Sequence, residues 1–553
     1  MSLSILNNTL ASFAQRNLQT HEESRARLLG ALATGMRIGG AADDAAGLAI
    51  STRMTAGLNG ASQALRNISD AGSMLQVADG AMASIGDTLQ RLRSLAVAAG
   101  NGSYSEGDRA ALQEETRELL GNITQIGQQT SFNGQAVFSQ EAGSIGGDER
   151  KRKVLDGLKT GWLAAAEDMV KKYYGLEADG ATMTVNLEGT DGAFNNLASV
   201  SGVYSGGKFT NIHLNIDMAD FGTGATQDGG SAPLYSDRII AHEMAHAIMS
   251  RTMNFQSLPQ WFIEGTAELI QGADERLAGA VGGGAAALVA ATAGGTFSYE
   301  GSYAAARYLH SRLKEMGVDG GIKGVMQFLN QNQSANLNQA LNTVSNGVWA
   351  DAGAFMTEFG TNGANFITTK MNLTNADTGA IGGLDADGGP ARNARAVVAD
   401  DGTNNAEDGL AGFQVIYPEQ GGSTAMRRVQ IQVGERAGDT IDLHFAGMSA
   451  AALGLADLNM QDPAVALLHI DEALAFVNQQ RVAVGAYSNR IDMMANGLQR
   501  DSVNLAAAQD RIANTDYASV TAGLTRAQIL QQAASAMLAQ ANSQPRAVLS
   551  LLR

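Results

Sequence analysis

The chain has 553 residues, 44% of them hydrophobic and 17% charged, a length too great for one core and a composition too apolar for a disordered polymer. Its formal net charge of −17 supplies no basic stripe for phosphates, which argues against nucleic acid as the main partner. It contains no cysteine, so disulfides and thiolate metal sites are excluded.

The opening run MSLSILNNTLASFAQRNLQTHEESRARLL is amphipathic. It lacks the basic region, apolar run and small-residue cleavage site of a secretion signal, so export would need a route without a cleaved signal peptide. No segment has the run of about 20 apolar residues that a spanning helix requires, and no membrane insertion is expected. Farther on, Ile68, Leu75, Met82, Leu89 and Ala96 recur every seven residues, with Ala71, Ala78, Ile85 and Leu92 three positions after the first four. Such a seam predicts a long helix in a coiled coil or bundle. NGSYSEGD at 101–108 breaks it, and a second helix is predicted over 109–126.

The texture then changes. All three tryptophans and eight of the eleven tyrosines fall in the middle of the chain, while no proline lies in the first 232 residues or between 463 and 545. This divides the chain into two aromatic-poor helical arms, 1–140 and 428–553, around a globular middle, 141–427. The middle opens on an amphipathic helix over 147–176. TMTVNL (182–187) and NIHLNI (211–216) follow, both alternating with period two as strands do.

A helix predicted over 236–251 carries His242-Glu243-Met244-Ala245-His246. Histidines at i and i+4 lie one above the other, about 6 Å apart at the backbone, so both can reach one zinc ion. The glutamate beside the first can act as general base. Seventeen residues separate His246 from Glu264, in WFIEGTAELI, with Glu268 one helical turn beyond it. Glu268 is placed to accept the remaining N–H of a metal-bound histidine, or is a plain surface acid. In SYEGSYAAARYL (298–309), Tyr299 and Tyr303 lie about one helical turn apart, and either could pack against the sheet. The other histidines have no metal-like partners in sequence. In the last arm, helices are predicted over 464–512 and 524–538.

TGMRIGGAADDAAGLAISTRM (34–54), QALRNISDAGSMLQVADGAM (63–82), LQRLRSLAVAAGNGS (89–103) and SFNGQAVF (131–138) resemble the N-terminal half of bacterial flagellin. VQIQVGERAGDTIDLHFAGMSAAALGL (429–455) resembles the segment that re-enters the flagellin core, and RIANTDYASVTAGLTRAQILQQAASAMLAQANSQPRAVLSLLR (511–553) resembles the C-terminal half. Gly39-Gly40-Ala41-Ala42 departs from the family's more polar pattern at that point. The resemblance implies terminal arms paired as helices in a helical homopolymer, export by the flagellar type III route to an extracellular filament, and partnership with an export chaperone and cap proteins. It also implies a receptor surface: Arg91, Leu95 and Glu115 occupy the places of the arginine, leucine and glutamate that Toll-like receptor 5 recognises in flagellins. An ordinary solvated helix face is the bland alternative for these three.

The middle segment resembles the gluzincin branch of zinc peptidases, since Pro259-Gln260-Trp261-Phe262-Ile263-Glu264-Gly265 is close to that family's PxWxxEG pattern. That resemblance implies one catalytic zinc ion held by His242, His246 and Glu264, with Glu243 as general base. Three protein ligands leave a fourth position for water, the mark of a catalytic site. SYEGSYAAARYL resembles the downstream helix that supplies an oxyanion-donating tyrosine in related enzymes, which implies Tyr299 as first choice and Tyr303 as second. A sheet leading into the HExxH helix resembles the zincin architecture, which implies an edge strand that pairs with an extended peptide, with NIHLNI as the candidate. The expected fold is multidomain α+β: a long helical coiled-coil or bundle core from both termini, with an inserted α/β zincin-like metallopeptidase domain. The expected function is a filament subunit that hydrolyses extracellular proteins; the alternative is a structural flagellin whose insertion is an inactive surface or adhesive domain.

Overall fold

The computed structural model describes residues 8–188, 196–221, 230–231, 234–398, 410–418 and 422–551. In chain order, α1 spans Thr9–Thr34, α2 Ala45–Ala99 and α3 Glu106–Gln129, followed by the hairpin β1 (Ser131–Phe132) and β2 (Gln135–Ala136). The middle holds α4 (Glu149–Gly157), a π-helical turn (Leu158–Trp162), α5 (Leu163–Tyr174), β3 (Ala181–Asn186), β4 (Ala198–Ser205), β5 (Lys208–Ile216), β6 (Gly230–Ser231) and β7 (Leu234–Tyr235). Helices dominate from there: α6 (Ser236–Thr252), α7 (Gln260–Gln271), α8 (Asp274–Ala280), α9 (Ala285–Ala293), α10 (Tyr299–Glu315), α11 (Ile322–Gln331), α12 (Leu337–Val344), α13 (Ala352–Lys370) and α14 (Leu384–Asp387). The last elements are β8 (Phe413–Ile416), β9 (Met426–Gln432), β10 (Thr440–Ala446), α15 (Pro463–Ala513) and α16 (Tyr517–Leu551).

The chain forms two compact units. The first takes in the chain up to Gly80, Arg427–Phe445 and the chain from Gln480 onward. Within it α1 runs against α16, tied by Arg25 Nη1 donating to Gln531 Oε1 at 2.8 Å and Asn8 Nδ2 donating to the Ala541 carbonyl at 2.9 Å. Gly35, at φ 72°, ends α1 in the left-handed conformation, and its carbonyl accepts from the Thr515 N–H at 2.9 Å. The two terminal arms are thus paired helices, as the sequence implied.

All nine positions of the heptad seam are buried on α2, from Ile68 to Ala96. The predicted break falls between α2 and α3, where Ser105 and Asp108 form a reciprocal capping box that starts α3. Late in α3, a Cβ on Gly127 would lie 2.5 Å from the Met448 carbonyl oxygen, so only glycine lets the re-entering chain approach there.

The second unit takes in Ala81–Met426 and Ala446–Gln479. Inside it one hydrophobic cluster runs from Val154 to Phe413 and, among the described residues, draws on none of the terminal helices. Its sheet has the order β4-β5-β3-β8, with β3 parallel to β5 and to β8, and β4 antiparallel to β5. Ile212, Leu214 and Ile216 of β5 and Met183 and Val185 of β3 point into the core, where α5, α6 and α7 pack.

One expectation needs correction. NIHLNI is not an edge strand: β5 lies between β3 and β4, and the edges are β4, ASVSGVYS, and β8. Alternation reports that one face of a strand is buried, which holds for edge and interior strands alike. The tight β4–β5 connection is set by Gly206 and Gly207, both with positive φ (61° and 87°), which join Ser205 to Lys208 in a two-residue hairpin turn.

Candidate metal centre

α6 is buried nearly all round. Ile240, Ala241, Met244, Ala245, Ala247 and Ile248 are inaccessible, so this helix shows no polar stripe and its few polar side chains must find partners inside. His242, Glu243 and His246 project from it into a cleft. The chain then turns through Met253–Pro259, and Pro259 precedes the first residue of α7, where a missing N–H is costless. α7 brings Glu264 and Glu268 back against α6.

Three atoms converge there. His246 Nε2 lies 3.0 Å from His242 Nε2, and Glu264 Oε2 lies 3.2 Å from His242 Nε2 and 3.3 Å from His246 Nε2. Ligands about 2.0–2.1 Å from a tetrahedral zinc stand about 3.3 Å from one another, so the spacing of the triangle fits that ion. The donor set, two imidazoles and a carboxylate, is also of the kind that borderline-soft zinc accepts. Behind the triangle, His242 Nδ1 sits 3.3 Å from Glu268 Oε1, with Gln271 Nε2 at 3.4 Å. A proton on Nδ1 donated to Glu268 leaves Nε2 with its lone pair toward the triangle. His246 Nδ1 is buried with no hydrogen-bond partner among the described residues.

The electrostatics differ from residue to residue. Burial pushes the His242 imidazole down, but its bonds to Glu264 and Glu268 prevail and raise it to about 10. Burial pushes Glu264 up, yet hydrogen bonds from the two histidines hold it well below the usual carboxylate range. Glu243 takes no direct bond from either imidazole. Burial raises its carboxyl, with the nearby histidines and the Val200 backbone N–H drawing it partly back.

Two clefts of about 280 Å³ each meet at the site, both lined by Asn196, Ala198, His242, Glu243 and Tyr299. One continues over Ser199, Val200, Phe209, Phe255 and Ile263; the other reaches Glu268, Gln271 and Arg276. Edge strand β4 therefore runs alongside the triangle, the position expected of NIHLNI.

The two tyrosines separate. Tyr299 begins α10, is 41% exposed, and its ring centroid lies 6.2 Å from that of His242. Tyr303 is fully buried one turn on, its hydroxyl bonded to Asp274 Oδ1 at 2.8 Å and the Gly379 carbonyl at 3.0 Å. It belongs to the core and does not reach the cleft. Gly265 sets this arrangement: a Cβ there would stand 2.2 Å from the Ser302 carbonyl oxygen, so glycine lets α10 press against α7 and deliver Tyr299 to the cleft.

Sequence reasoning passed over Arg276, Gln271, Phe209, Phe255 and β4. None carries a local motif, and β4 is a serine- and glycine-containing run without strong alternation. Away from the cleft, Arg91 and Glu115 pair between α2 and α3 at 2.8 Å with both side chains largely exposed, whereas Leu95 is buried.

Residues 5–142 match the bacterial flagellin N-terminal helical region, and residues 467–552 match the bacterial flagellin C-terminal helical region. Over the full length of both chains, the sequence is similar to flagellins of Salmonella berta (29% identical), Salmonella rubislaw (27%) and Salmonella typhimurium (26%). The chain belongs, by both of its terminal regions, to the bacterial flagellins, the structural subunits of the extracellular flagellar filament.

Proposed function

We propose that this flagellin is also a zinc-dependent endopeptidase, its active centre carried by the domain between the flagellin regions and displayed on the filament surface. The observation that carries the reading is the triangle of His242 Nε2, His246 Nε2 and Glu264 Oε2, opening on the cleft that Glu243 and Tyr299 also line. His242, His246 and Glu264 would hold the ion. When bound, zinc supplies Lewis acidity, polarising a scissile carbonyl and making water a better nucleophile near neutral pH.

The remaining chemistry belongs to the chain. Glu243, buried yet lining the cleft, accepts the proton of the attacking water and passes it to the leaving amine. Its raised proton affinity brings it nearer to the operating pH of a general base. The Tyr299 hydroxyl donates to the oxygen that becomes negative. Glu268 fixes the tautomer and tilt of His242. The outer edge of β4 offers backbone groups to an extended peptide. Extracellular proteins are the proposed substrates. Export by the flagellar type III route, with its chaperone and cap proteins, and contact with Toll-like receptor 5 through the rod remain proposals drawn from the flagellin resemblance.

Two variants of the purified full chain test the reading. Glu243→Gln is expected to bind one zinc ion as the wild type does while losing peptide hydrolysis by about 10²–10⁴-fold. His246→Ala is expected to lose both zinc and hydrolysis. Full hydrolysis by Glu243→Gln would remove the assignment.

A further inference from the structure

Arg276 lies on α8, outside every motif, yet it touches two parts of the site at once. Its Nη1 donates to Glu268 Oε1 at 2.7 Å, the same oxygen that lies 3.3 Å from His242 Nδ1. Glu268 is 1% exposed, and its other oxygen has no partner among the described residues, so Arg276 and His242 between them hold this carboxylate. On its other side the guanidinium carbon stands 5.6 Å from the centre of the Tyr299 ring. Tyr299 is the first residue of its helix and its ring is half-open to solvent, with Phe297 edge-on at 5.1 Å and the His242 ring 6.2 Å away. A ring so placed keeps a fixed direction only if something lies against its face.

We infer that Arg276 is a positioning residue that joins the two halves of the peptidase site, orienting Glu268 behind His242 while holding Tyr299 over the cleft. The inference rests on the peptidase reading for its effect on turnover, but not for its effect on the metal. A planar guanidinium suits both tasks, because it can donate in its plane and lie flat against a ring. Lysine could keep the ion pair with Glu268 but could not cover the ring.

The test uses the purified full chain, zinc ion in competition with a chelator, and a quenched fluorescent peptide that the wild type cleaves. Arg276→Ala is expected to weaken zinc binding about tenfold, the usual loss when a partner behind a metal ligand is disturbed. It should also lower kcat about tenfold with KM within twofold of wild type, and this second loss should largely vanish in a Tyr299→Phe background. Arg276→Lys should recover most of the zinc affinity and little of kcat, and it decides the matter if the alanine variant does not fold. The inference is overturned by wild-type zinc affinity in the alanine variant, or by wild-type kcat in the lysine variant. It is equally overturned if Arg276→Ala raises KM with kcat intact, or costs as much kcat in the Tyr299→Phe background as in the wild type. If the zinc-loaded wild type cleaves no peptide at all, the peptidase reading fails on its own, and the zinc competition still decides whether Arg276 orients Glu268.

Discussion

Glu243 and Glu264 stand on adjoining helices, and burial pushes both toward the neutral acid, yet they end on opposite sides of the ordinary carboxylate value. Two imidazole bonds pull Glu264 down; Glu243 has none and keeps its raised affinity for a proton. Asp274 shows the same desolvation put to structural use. Burial, opposed in part by Arg307 and Tyr303, raises its carboxyl from 3.8 to about 6. A raised value means the folded state prefers the protonated form, so this contribution is fully present below the unfolded value and is lost as pH rises through about 6. The difference corresponds to at most about 3 kcal/mol. Asp274→Asn, which keeps an oxygen for the Tyr303 hydroxyl, should therefore unfold at a higher temperature than wild type at about pH 7.5, with the gap closing toward about pH 4. A gap that stays constant with pH would show that burial of the charge is not what matters there. Residues of this kind divide by how local their cause is. His242, Glu243 and His246 were legible because one helix turn sets their spacing, and Glu264 because a short pattern surrounds it. Arg276 and the choice of Tyr299 over Tyr303 were not, since both depend on which helices meet in space.

Elements carry those meetings. α7 and α10 are brought together by the bare backbone of Gly265 beneath the Ser302 carbonyl, one residue after Glu264. Gly265→Ala puts a methyl group where no Cβ can stand, and the helices must separate. We expect a stability loss of about 1–3 kcal/mol, typical of overpacking. Hydrolysis should fall by more than the unfolded fraction explains, because Tyr299 rides on α10. Circular dichroism melting beside steady-state kinetics reads both; unchanged kinetics would mean that α10 does not position the tyrosine. The seam on α2 shows the converse. Its nine apolar positions predicted burial correctly because a heptad is a local statement about one helix face. The sheet edge was misplaced because strand order is set by partners dozens of residues apart, and period-two alternation contains no information about them.

At the scale of the whole molecule, the chain divides its labour by sequence position. Both termini are flagellin helices, and α1 and α16 close on each other at the ends of the chain. The material between has its own core, from Val154 to Phe413, and the cluster of His242, His246 and Glu264 lies within that material. Large exposed apolar side chains on α15 and α16, among them Val482, Met493, Ile529 and Met537, are surface that neighbouring subunits can cover. On the proposed reading, the flagellin regions would determine where the site works, and the HExxH helix with Glu264 what it would do. The most direct measurement puts both halves together. Purified filaments of the wild type and of Glu243→Gln are incubated with a peptide library, with chelator and after zinc is restored, and the cleavage sites are read by mass spectrometry. The account predicts cleavage by wild-type filaments that chelator abolishes and zinc restores, and none by equally well assembled Glu243→Gln filaments. Cleavage that survives the chelator, or that the variant filaments perform as well as the wild type, would contradict it.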